Sequence, residues 1–135
     1  MRYMLLIYTK EAESSAGEMH QVAAAHGEIM AETARRGILR GAEPLEPSGT
    51  ATTVRVQNGK AVMTDGPFAE TKEQLAGYYI LDCKDLDEAV SYAARIPSAC
   101  GGKPGCVEIR VLPGIPGRES SVDSASEKQE AVLAR

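Results

Sequence analysis

Residues 2–9 read RYMLLIYT, a run in which both alternating sets of side chains are apolar. The two sets are Tyr3, Leu5 and Ile7 on one side and Met4, Leu6 and Tyr8 on the other. A strand with apolar side chains on both sides is covered on both faces of its sheet. The pattern therefore predicts a strand in the middle of a sheet, with the other elements arranged around it.

A second strand of the same kind is predicted at residues 75–83. Its apolar residues are Tyr78, Tyr79, Ile80 and Leu81, which again occupy both faces. The last predicted strand, at residues 106–112, differs because Glu108 and Arg110 alternate with apolar residues. The sequence thus indicates two central strands and one strand with a polar face.

The first helix is predicted at residues 15–36 and is expected to end at Gly37, a typical C-cap residue. Residues that can face a core recur there at three- and four-residue steps, as in an amphipathic helix. They are Met19, Val22, Ala23, His26, Ile29, Met30, Thr33 and Ala34.

A second helix is predicted at residues 85–96. Asp85 and Glu88 form a capping-box pattern at its start, and Pro97 is expected to stop it. A glycine-rich loop at residues 98–105 then leads to the last strand.

A β-hairpin is predicted between a short strand at residues 38–42 and the second central strand. Residues 50–57 are rich in Thr and Val, and residues 60–64 return after Asn58-Gly59, a strong signal for a two-residue turn. The connections on either side are the irregular stretch at residues 44–49 and a loop at residues 65–73.

The predicted order is strand, helix, strand, inserted hairpin, strand, helix, strand. This order belongs to the α+β class and fits a ferredoxin-like split β-α-β arrangement with an extra hairpin. Two helices cover only one face of such a sheet, although both central strands are apolar on both faces. A second copy of the chain is the simplest cover for the other face, which predicts a homodimer.

The composition is that of one globular domain of 135 residues. Fifteen basic and nineteen acidic side chains give a net charge of −4, and the chain has no block of Lys or Arg. This distribution argues against nucleic-acid binding, which relies on clustered positive charge. We expect one folded domain at residues 1–113 and a poorly ordered tail at residues 114–135, which is rich in Ser and mixed charges.

The N-terminal apolar run is too short for the core of a signal peptide, which predicts a cytoplasmic protein that does not enter a membrane. Cys83, Cys100 and Cys106 are an odd number of cysteines in such a chain, so reduced thiols are expected. A redox pair of Cys100 and Cys106 is the less favoured alternative.

Two residues are candidates for acid–base catalysis. Asp65 precedes Gly66-Pro67 at a strand end, where its carboxylate either caps local backbone N–H groups or faces a cleft as a general base. His26 lies on the apolar stripe of the first helix, where it is either a hydrogen-bonded structural residue or the partner of Asp65.

The loop after the hairpin supplies candidates for ligand binding. Lys72 is the only cation in this segment and is the first candidate for binding a small anion, with Glu70 beside it. The alternative is a set of solvated charges joined by a weak local ion pair. Phe68, the only Phe in the chain, is expected to anchor the loop against its own chain or a partner.

Three tyrosines lie on the predicted central strands. Tyr8, Tyr78 and Tyr79 are expected to pack their rings in the core, while a hydroxyl facing a cavity would bind substrate or donate a proton. Of these, Tyr8 and Tyr78 are the candidate ligand contacts. No spacing indicates a metal site, and no cofactor is predicted.

Residues 64–73 read TDGPFAETKE, which resembles the signature of the DGPFAETKE branch of the YCII-related proteins. The likeness covers roughly residues 1–113. It implies a dimeric α+β barrel of ferredoxin-like subunits. Some members present a His and an Asp in a shared cleft, which suggests enzymatic activity, and members of this branch are often encoded beside extracytoplasmic-function sigma factors.

Two functional hypotheses follow. In the first, the protein binds a small polar or anionic molecule near the loop at residues 65–73, with acid–base chemistry by His26 and Asp65. In the second, it is a non-catalytic accessory or interaction module, linked to sigma-factor regulation, in which the decapeptide clasps the dimer.

Overall fold

The computed structural model describes residues 1–12, 14–101 and 103–116. Within these residues the chain forms six strands and three helices. They are β1 Arg2–Thr9, α1 Ala16–Arg35, β2 Leu39–Pro44, β3 Thr52–Gln57, β4 Lys60–Asp65, β5 Gln74–Asp82, α2 Leu86–Ala93, α3 Pro97–Cys100 and β6 Gly105–Leu112. A 3-10 turn at Ser48–Thr50 precedes β3.

Strand β1 lies inside a four-stranded antiparallel sheet with the order β2-β5-β1-β6. Arg2 pairs with Asp82 of β5 on one side and with Leu112 of β6 on the other. Helix α1 connects β1 to β2, and α2 follows β5, which gives the predicted split β-α-β connectivity. The mixed α+β class and the central positions of β1 and β5 are therefore confirmed.

The core lies between one face of this sheet and the helices. Leu5 of β1 and Leu81 of β5 are fully buried there, against Ile29 of α1 and Ile96 after α2. Thr33 is also fully buried, and its hydroxyl donates to the backbone carbonyl of Ile29 at 2.7 Å, so burial leaves no unpaired donor.

The helix ends follow the sequence signals. Ser15 caps α1 by accepting a hydrogen bond from the backbone N–H of Glu18 at 3.1 Å. Gly37 takes a positive φ of 73° after the last turn, a conformation that glycine adopts without strain. Asp85 caps α2 by accepting from the N–H of Glu88 at 2.9 Å.

Two prolines act differently from the prediction. Strand β2 continues to Pro44, because β2 is an edge strand and proline costs no ladder hydrogen bond on its open side. The second helix ends at Ala93 rather than at residue 96, and Pro97 begins α3 instead of stopping a helix. Proline suits the first turn of a helix, where its missing N–H has no intrahelical partner. The predicted glycine-rich loop is correspondingly shorter.

The first half of α1 does not pack on the core. Ile29 and Thr33 of the predicted apolar stripe are buried, whereas Met19 and Val22 are exposed. Met30 and Ala34 in the second half are exposed as well, so the face of α1 that packs on the core is narrower than the predicted stripe. A gap lies between the first half of α1 and the end of β1.

Two apolar surfaces remain uncovered by the helices. The first is the sheet face opposite the core, which we call the open sheet face. Its half-buried residues are Met4, Leu6, Tyr8, Tyr78 and Ile80, and the edge strand β6 adds the exposed charged residues Glu108 and Arg110 to the same face. The second is the hairpin of β3 and β4, a separate two-stranded sheet whose Asn58-Gly59 turn has positive φ at both residues.

The three cysteines are free thiols, with Cys83 buried and Cys100 and Cys106 exposed. From residue 117 onward, the predicted tail at residues 114–135 lies outside the described residues.

Candidate functional site

A histidine and a tyrosine meet between α1 and the sheet. Nδ1 of His26 lies 2.7 Å from the hydroxyl oxygen of Tyr79, and the two rings stack with centroids 5.8 Å apart and an interplanar angle of 18°. His26 reaches Tyr79 because its position on α1 continues the stripe of Ile29 and Thr33. Tyr79 alternates with Leu81 on the core side of β5 and is buried.

Burial sets the protonation of this pair. Loss of water around His26 lowers the pKa of its imidazole, and burial raises the pKa of Tyr79 to about 12. Both side chains are therefore neutral at neutral pH, and one proton lies between them. Either the Tyr79 hydroxyl donates to Nδ1, or Nδ1–H donates to the hydroxyl oxygen, depending on the tautomer.

The second imidazole nitrogen of His26 is reachable from solvent. Within the described residues, Nε2 makes no hydrogen bond, and it is not among the buried polar atoms that lack a partner. A histidine with one nitrogen fixed by hydrogen bonding and the other accessible is arranged to exchange a proton with a bound molecule.

A cleft of about 410 Å³ fills the gap between the first half of α1, the end of β1 and α3. We call it the α1–α3 cleft. Its lining residues are Thr9, Lys10, Glu11, Ala12, Ser14, Glu18, Gln21, Val22, Pro97, Ser98, Gly101 and Lys103. This size lies within the range of small-molecule sites in proteins.

Charged groups of both signs line the cleft. Lys103 and Glu18 form an ion pair at 2.5 Å across its mouth. The carboxylate of Glu11 accepts hydrogen bonds from both the backbone N–H and the hydroxyl of Ser48, each at 2.7 Å, which holds the pKa of Glu11 below its usual value. Lys10 has no ion pair with any residue that the structure describes. The cleft thus presents one ammonium group not yet neutralised.

The catalytic candidate lies close to this cleft. Val22 lines it, and His26 follows Val22 by one helical turn on the same stripe of α1. Residues with this spacing have Cβ atoms about 5–6 Å apart.

The structure does not bring Asp65 to His26. Asp65 ends β4 on the hairpin and is exposed, and no hydrogen bond or ion pair between the two residues occurs in the described part of the chain. Nor does the Asp65 carboxylate cap a backbone N–H there. The contact that His26 makes is with Tyr79.

Glu70 and Lys72 are exposed residues of the loop that follows the hairpin. The predicted local ion pair is absent among the residues described, and neither side chain lines the α1–α3 cleft. The cations beside the cleft are instead Lys10 and Lys103.

Tyr8 and Tyr78 lie on the open sheet face, on the opposite side of the sheet from His26. The sequence places Tyr79 with Tyr8 and Tyr78 among the tyrosines whose ring packs in the core or whose hydroxyl faces a cavity, but Tyr79 is not among the candidate ligand contacts. The alternation along β5 separates it from Tyr78. Combining that alternation with the helix stripe that contains His26 would have placed the two residues in the same layer.

Over residues 1–12, 14–101 and 103–116, no group of three or more His, Cys, Asp or Glu side chains is placed to hold a metal ion. In the same residues, no helix combines the length and apolar character required to cross a membrane.

The chain is similar to a protein family, to a curated protein and to a solved structure. Residues 1–113 match the model of the YCII-related domain family. An uncharacterised protein of Rhizobium meliloti (strain 1021) is 36% identical over 115 residues, which are 83% of this chain and 92% of that protein. A solved structure of 5-chloro-2-hydroxyhydroquinone dehydrochlorinase from Burkholderia phenoliruptrix, in complex with 2,5-dihydroxybenzoquinone, aligns with a TM-score of 0.50 at 16% identity. That alignment covers 86% of this chain and 99% of the dehydrochlorinase, and at this identity it concerns the fold alone.

The family match spans both the sheet that β1 organises and the α1 segment that carries His26. The chain therefore belongs to the YCII-related domain family.

Proposed function

We propose that the protein binds a small polar or anionic molecule in the α1–α3 cleft, and that His26 exchanges a proton with it while Tyr79 fixes the imidazole. The observation that carries the proposal is the 2.7 Å contact between Nδ1 of His26 and the Tyr79 hydroxyl, which leaves Nε2 accessible. A cleft of about 410 Å³ one helical turn away supplies the space for a ligand.

The lowered pKa of His26 suits a general base. In the neutral tautomer whose N–H is on Nδ1 and donates to the Tyr79 hydroxyl oxygen, Nε2 carries the free lone pair and accepts a proton from the ligand, while Nδ1–H keeps its hydrogen bond to Tyr79. Tyr79 remains protonated throughout, because burial raises its pKa to about 12. Tyr79 is a positioning residue in this scheme, because its hydroxyl orients the imidazole of His26.

The cations at the cleft favour a ligand that carries negative charge. Lys10 has no ion-pair partner in the described part of the chain, and Lys103 is paired only with the exposed Glu18. An anionic group that displaces the Glu18 carboxylate would exchange one exposed ion pair for another, at little cost.

The experiment is a titration of the protein with 2,5-dihydroxybenzoquinone, the small ring compound bound in the dehydrochlorinase structure, followed by amide NMR. We expect saturable shifts at Val22, Ser98 and Lys103, with a dissociation constant of about 1 mM or lower. Small aliphatic and aromatic carboxylates provide a second probe series.

Variants connect that binding to the proposed groups. Lys10→Gln should weaken binding, whereas Lys72→Gln, a matched change on the loop outside the cleft, should leave it unchanged. Absence of shifts at the cleft with every probe, or shifts confined to residues 65–73, would contradict the proposed site.

We further propose that the protein is a cytoplasmic homodimer in which two open sheet faces pack together into an α+β barrel. The support is the row of half-buried apolar residues on that face, for which the described residues provide no covering layer. Paired sheets lie about 10 Å apart, which suits side chains of the size of Leu6 and Ile80.

A second candidate function is a non-catalytic interaction module that acts beside an extracytoplasmic-function sigma-factor system. The separation of His26 from Asp65 favours it, because the acid–base pair expected from the sequence is not formed within the chain. Under this alternative, the small-molecule titration gives no saturable shift, and His26→Gln changes stability without changing any binding.

A further inference from the structure

The α1–α3 cleft already holds one carboxylate, that of Glu18. Oε2 of Glu18 lies 2.5 Å from Nζ of Lys103, and both residues line the cleft. The hydrogen bond from Lys103 holds the pKa of Glu18 below its usual value, so Glu18 is ionised at neutral pH. The chain itself therefore shows which chemical group Lys103 accepts at this position.

The two partners come from elements that are fixed independently of each other. Glu18 lies in the first turn of α1, where its backbone N–H donates to the cap residue Ser15 at 3.1 Å. Lys103 comes just before β6, whose first residue Gly105 pairs with Thr9 of β1. The ion pair thus spans the cleft from the helix to the edge of the sheet.

A second ammonium group belongs to the same edge of the cleft. The backbone N–H of Lys10 donates to the carbonyl of Pro104 at 3.3 Å, one step beyond the pairing of Thr9 with Gly105. Lys10 therefore lies beside the residue that follows Lys103. Glu18 neutralises Lys103, whereas Lys10 has no ion pair within the described part of the chain.

The acidic residues that line the cleft in the described part of the chain are both occupied. Glu18 binds Lys103, and the Glu11 carboxylate accepts from the N–H and the hydroxyl of Ser48. A cationic ligand would have to compete for these carboxylates. An anionic ligand has an unpaired cation in Lys10, so the charges of the cleft favour the anion.

The ion pair of Glu18 with Lys103 is of a kind that a ligand can displace. The exposed fractions of the two side chains are 46% and 67%, and an exposed ion pair contributes little because water solvates both partners when they separate. A ligand carboxylate would make the same contact with Lys103. An apolar body attached to it would lie against Val22 and Pro97, which line the same cleft.

We propose that the ligand of the α1–α3 cleft is a small carboxylate that takes the place of the Glu18 side chain on Lys103, so that Glu18 is an internal competitor which limits its affinity. This inference rests on the binding function proposed above. It names the class of the ligand and a residue that determines how tightly the ligand is held.

The test is the dissociation constant of benzoate, a carboxylate on an apolar body, measured by amide NMR titration of the full chain at low salt. Benzamide, which has nearly the same shape without the charge, is the ligand control and should bind at least about tenfold more weakly. Glu18→Gln should bind benzoate about fivefold more tightly than the wild type, which is the effect of removing one exposed ion pair that competes with the ligand.

Glu32→Gln is the matched control variant. It makes the same change of residue and charge on the same helix, but Glu32 pairs with Arg95 and does not line the cleft. We expect its benzoate dissociation constant to stay within about twofold of the wild-type value. Equal tightening by Glu32→Gln and Glu18→Gln would show a general effect of net charge and would overturn the competitor.

Removal of Lys103 separates competition from simple repulsion. In a Lys103→Gln background, Glu18→Gln should change benzoate binding by less than about twofold, because no cation is released. The same fivefold tightening with and without Lys103 would mean that Glu18 only repels anions, and the competitor would be overturned.

The remaining outcomes separate the competitor from the binding function. Saturable benzoate shifts at the cleft with the same dissociation constant in the wild type and Glu18→Gln overturn the competitor and leave the binding function standing. Binding by Glu18→Gln alone supports the competitor. Absence of binding in the wild type and in every variant overturns both, and benzamide binding as tight as that of benzoate overturns the carboxylate class. Far-ultraviolet circular dichroism of each variant verifies that the fold is retained.

Discussion

At the scale of single residues, one hydrogen bond determines what His26 can do. The Tyr79 hydroxyl occupies Nδ1, so any exchange of protons with a ligand has to take place at Nε2. Partial burial keeps the ring neutral, because it penalises the charged form. The same burial makes His26 a source of acid sensitivity in the folded protein.

His26→Gln should reduce the loss of stability in acid. Burial lowers the pKa of His26 in the folded protein below the ordinary value of 6.5, so the unfolded chain takes up the proton more readily. The wild type therefore loses stability as the pH falls below about 6.5, and this contribution is absent above that pH. Urea unfolding between about pH 7 and about pH 5, at fixed protein concentration, should show a smaller loss for the variant. If the wild type and His26→Gln lose equal stability between these pH values, His26 is not a source of the acid sensitivity.

Tyr79→Phe should leave Nδ1 of His26 without its partner. We expect a loss of about 1–2 kcal/mol in unfolding free energy, as is typical when a buried polar atom becomes unpaired. The tyrosine ionisation step near pH 12 should also disappear from the ultraviolet absorbance titration. Nitrogen-15 NMR of the imidazole reports the tautomer directly, and an unchanged tautomer ratio in the variant would show that Tyr79 does not orient the ring.

At the scale of elements, the pairing of β2 with β5 depends on the absence of a side chain at Gly77. A Cβ atom there would lie 2.8 Å from the carbonyl oxygen of Glu43 and 3.2 Å from Cα of Pro44. Both neighbours are backbone atoms, so the clash can be removed only if β2 and β5 move apart.

Gly77→Ala should destabilise the protein by about 2 kcal/mol or more, because a clash with backbone atoms cannot be removed by rotating a side chain. Gly41→Ala is the matched control in the same strand pair. The nearest atom to its added Cβ is Cδ1 of Ile80 at 3.6 Å, an ordinary contact, and we expect a change within about 1 kcal/mol. Urea unfolding of both variants provides the comparison, and equal losses would contradict the steric explanation.

Local patterns in the sequence predict those elements whose environment is visible in the pattern itself. Apolar residues on both faces of β1 predict a central strand, and Asn58-Gly59 predicts a two-residue turn. The structure shows both. The periodicity of α1 does not show how much of its stripe the rest of the chain covers, and Met19 and Val22 are exposed. Pro97 illustrates the same limit, since proline both stops helices and begins them.

The candidate site could also be predicted only in part. The sequence identifies His26 because it is a polar residue on an apolar helix stripe. Its partner is separated from it by 53 positions, and the choice between Tyr78 and Tyr79 requires knowing which face of β5 the helix covers. The α1–α3 cleft arises from the divergence of α1 from the sheet, a three-dimensional feature without a motif of its own.

At the scale of the whole molecule, we expect stability to depend on protein concentration. If each copy covers the open sheet face of the other, unfolding is coupled to dissociation. The thermal midpoint should then rise when the protein concentration is increased about 100-fold, whereas a monomeric two-state protein shows no such rise. Differential scanning calorimetry at the two concentrations measures this, and equal midpoints would contradict the proposed homodimer.

The position of β1 between β5 and β6 also has a consequence for how the protein is made. Among the strands of this sheet, β1 leaves the ribosome first, and its nearer partner in sequence ends only at Asp82. At about 5–20 residues per second, translation from Thr9 to Asp82 takes roughly 4–15 s. During that interval β1 has neither of its sheet neighbours, so of the four strands of this sheet RYMLLIYT is the one that chaperones have the longest opportunity to bind.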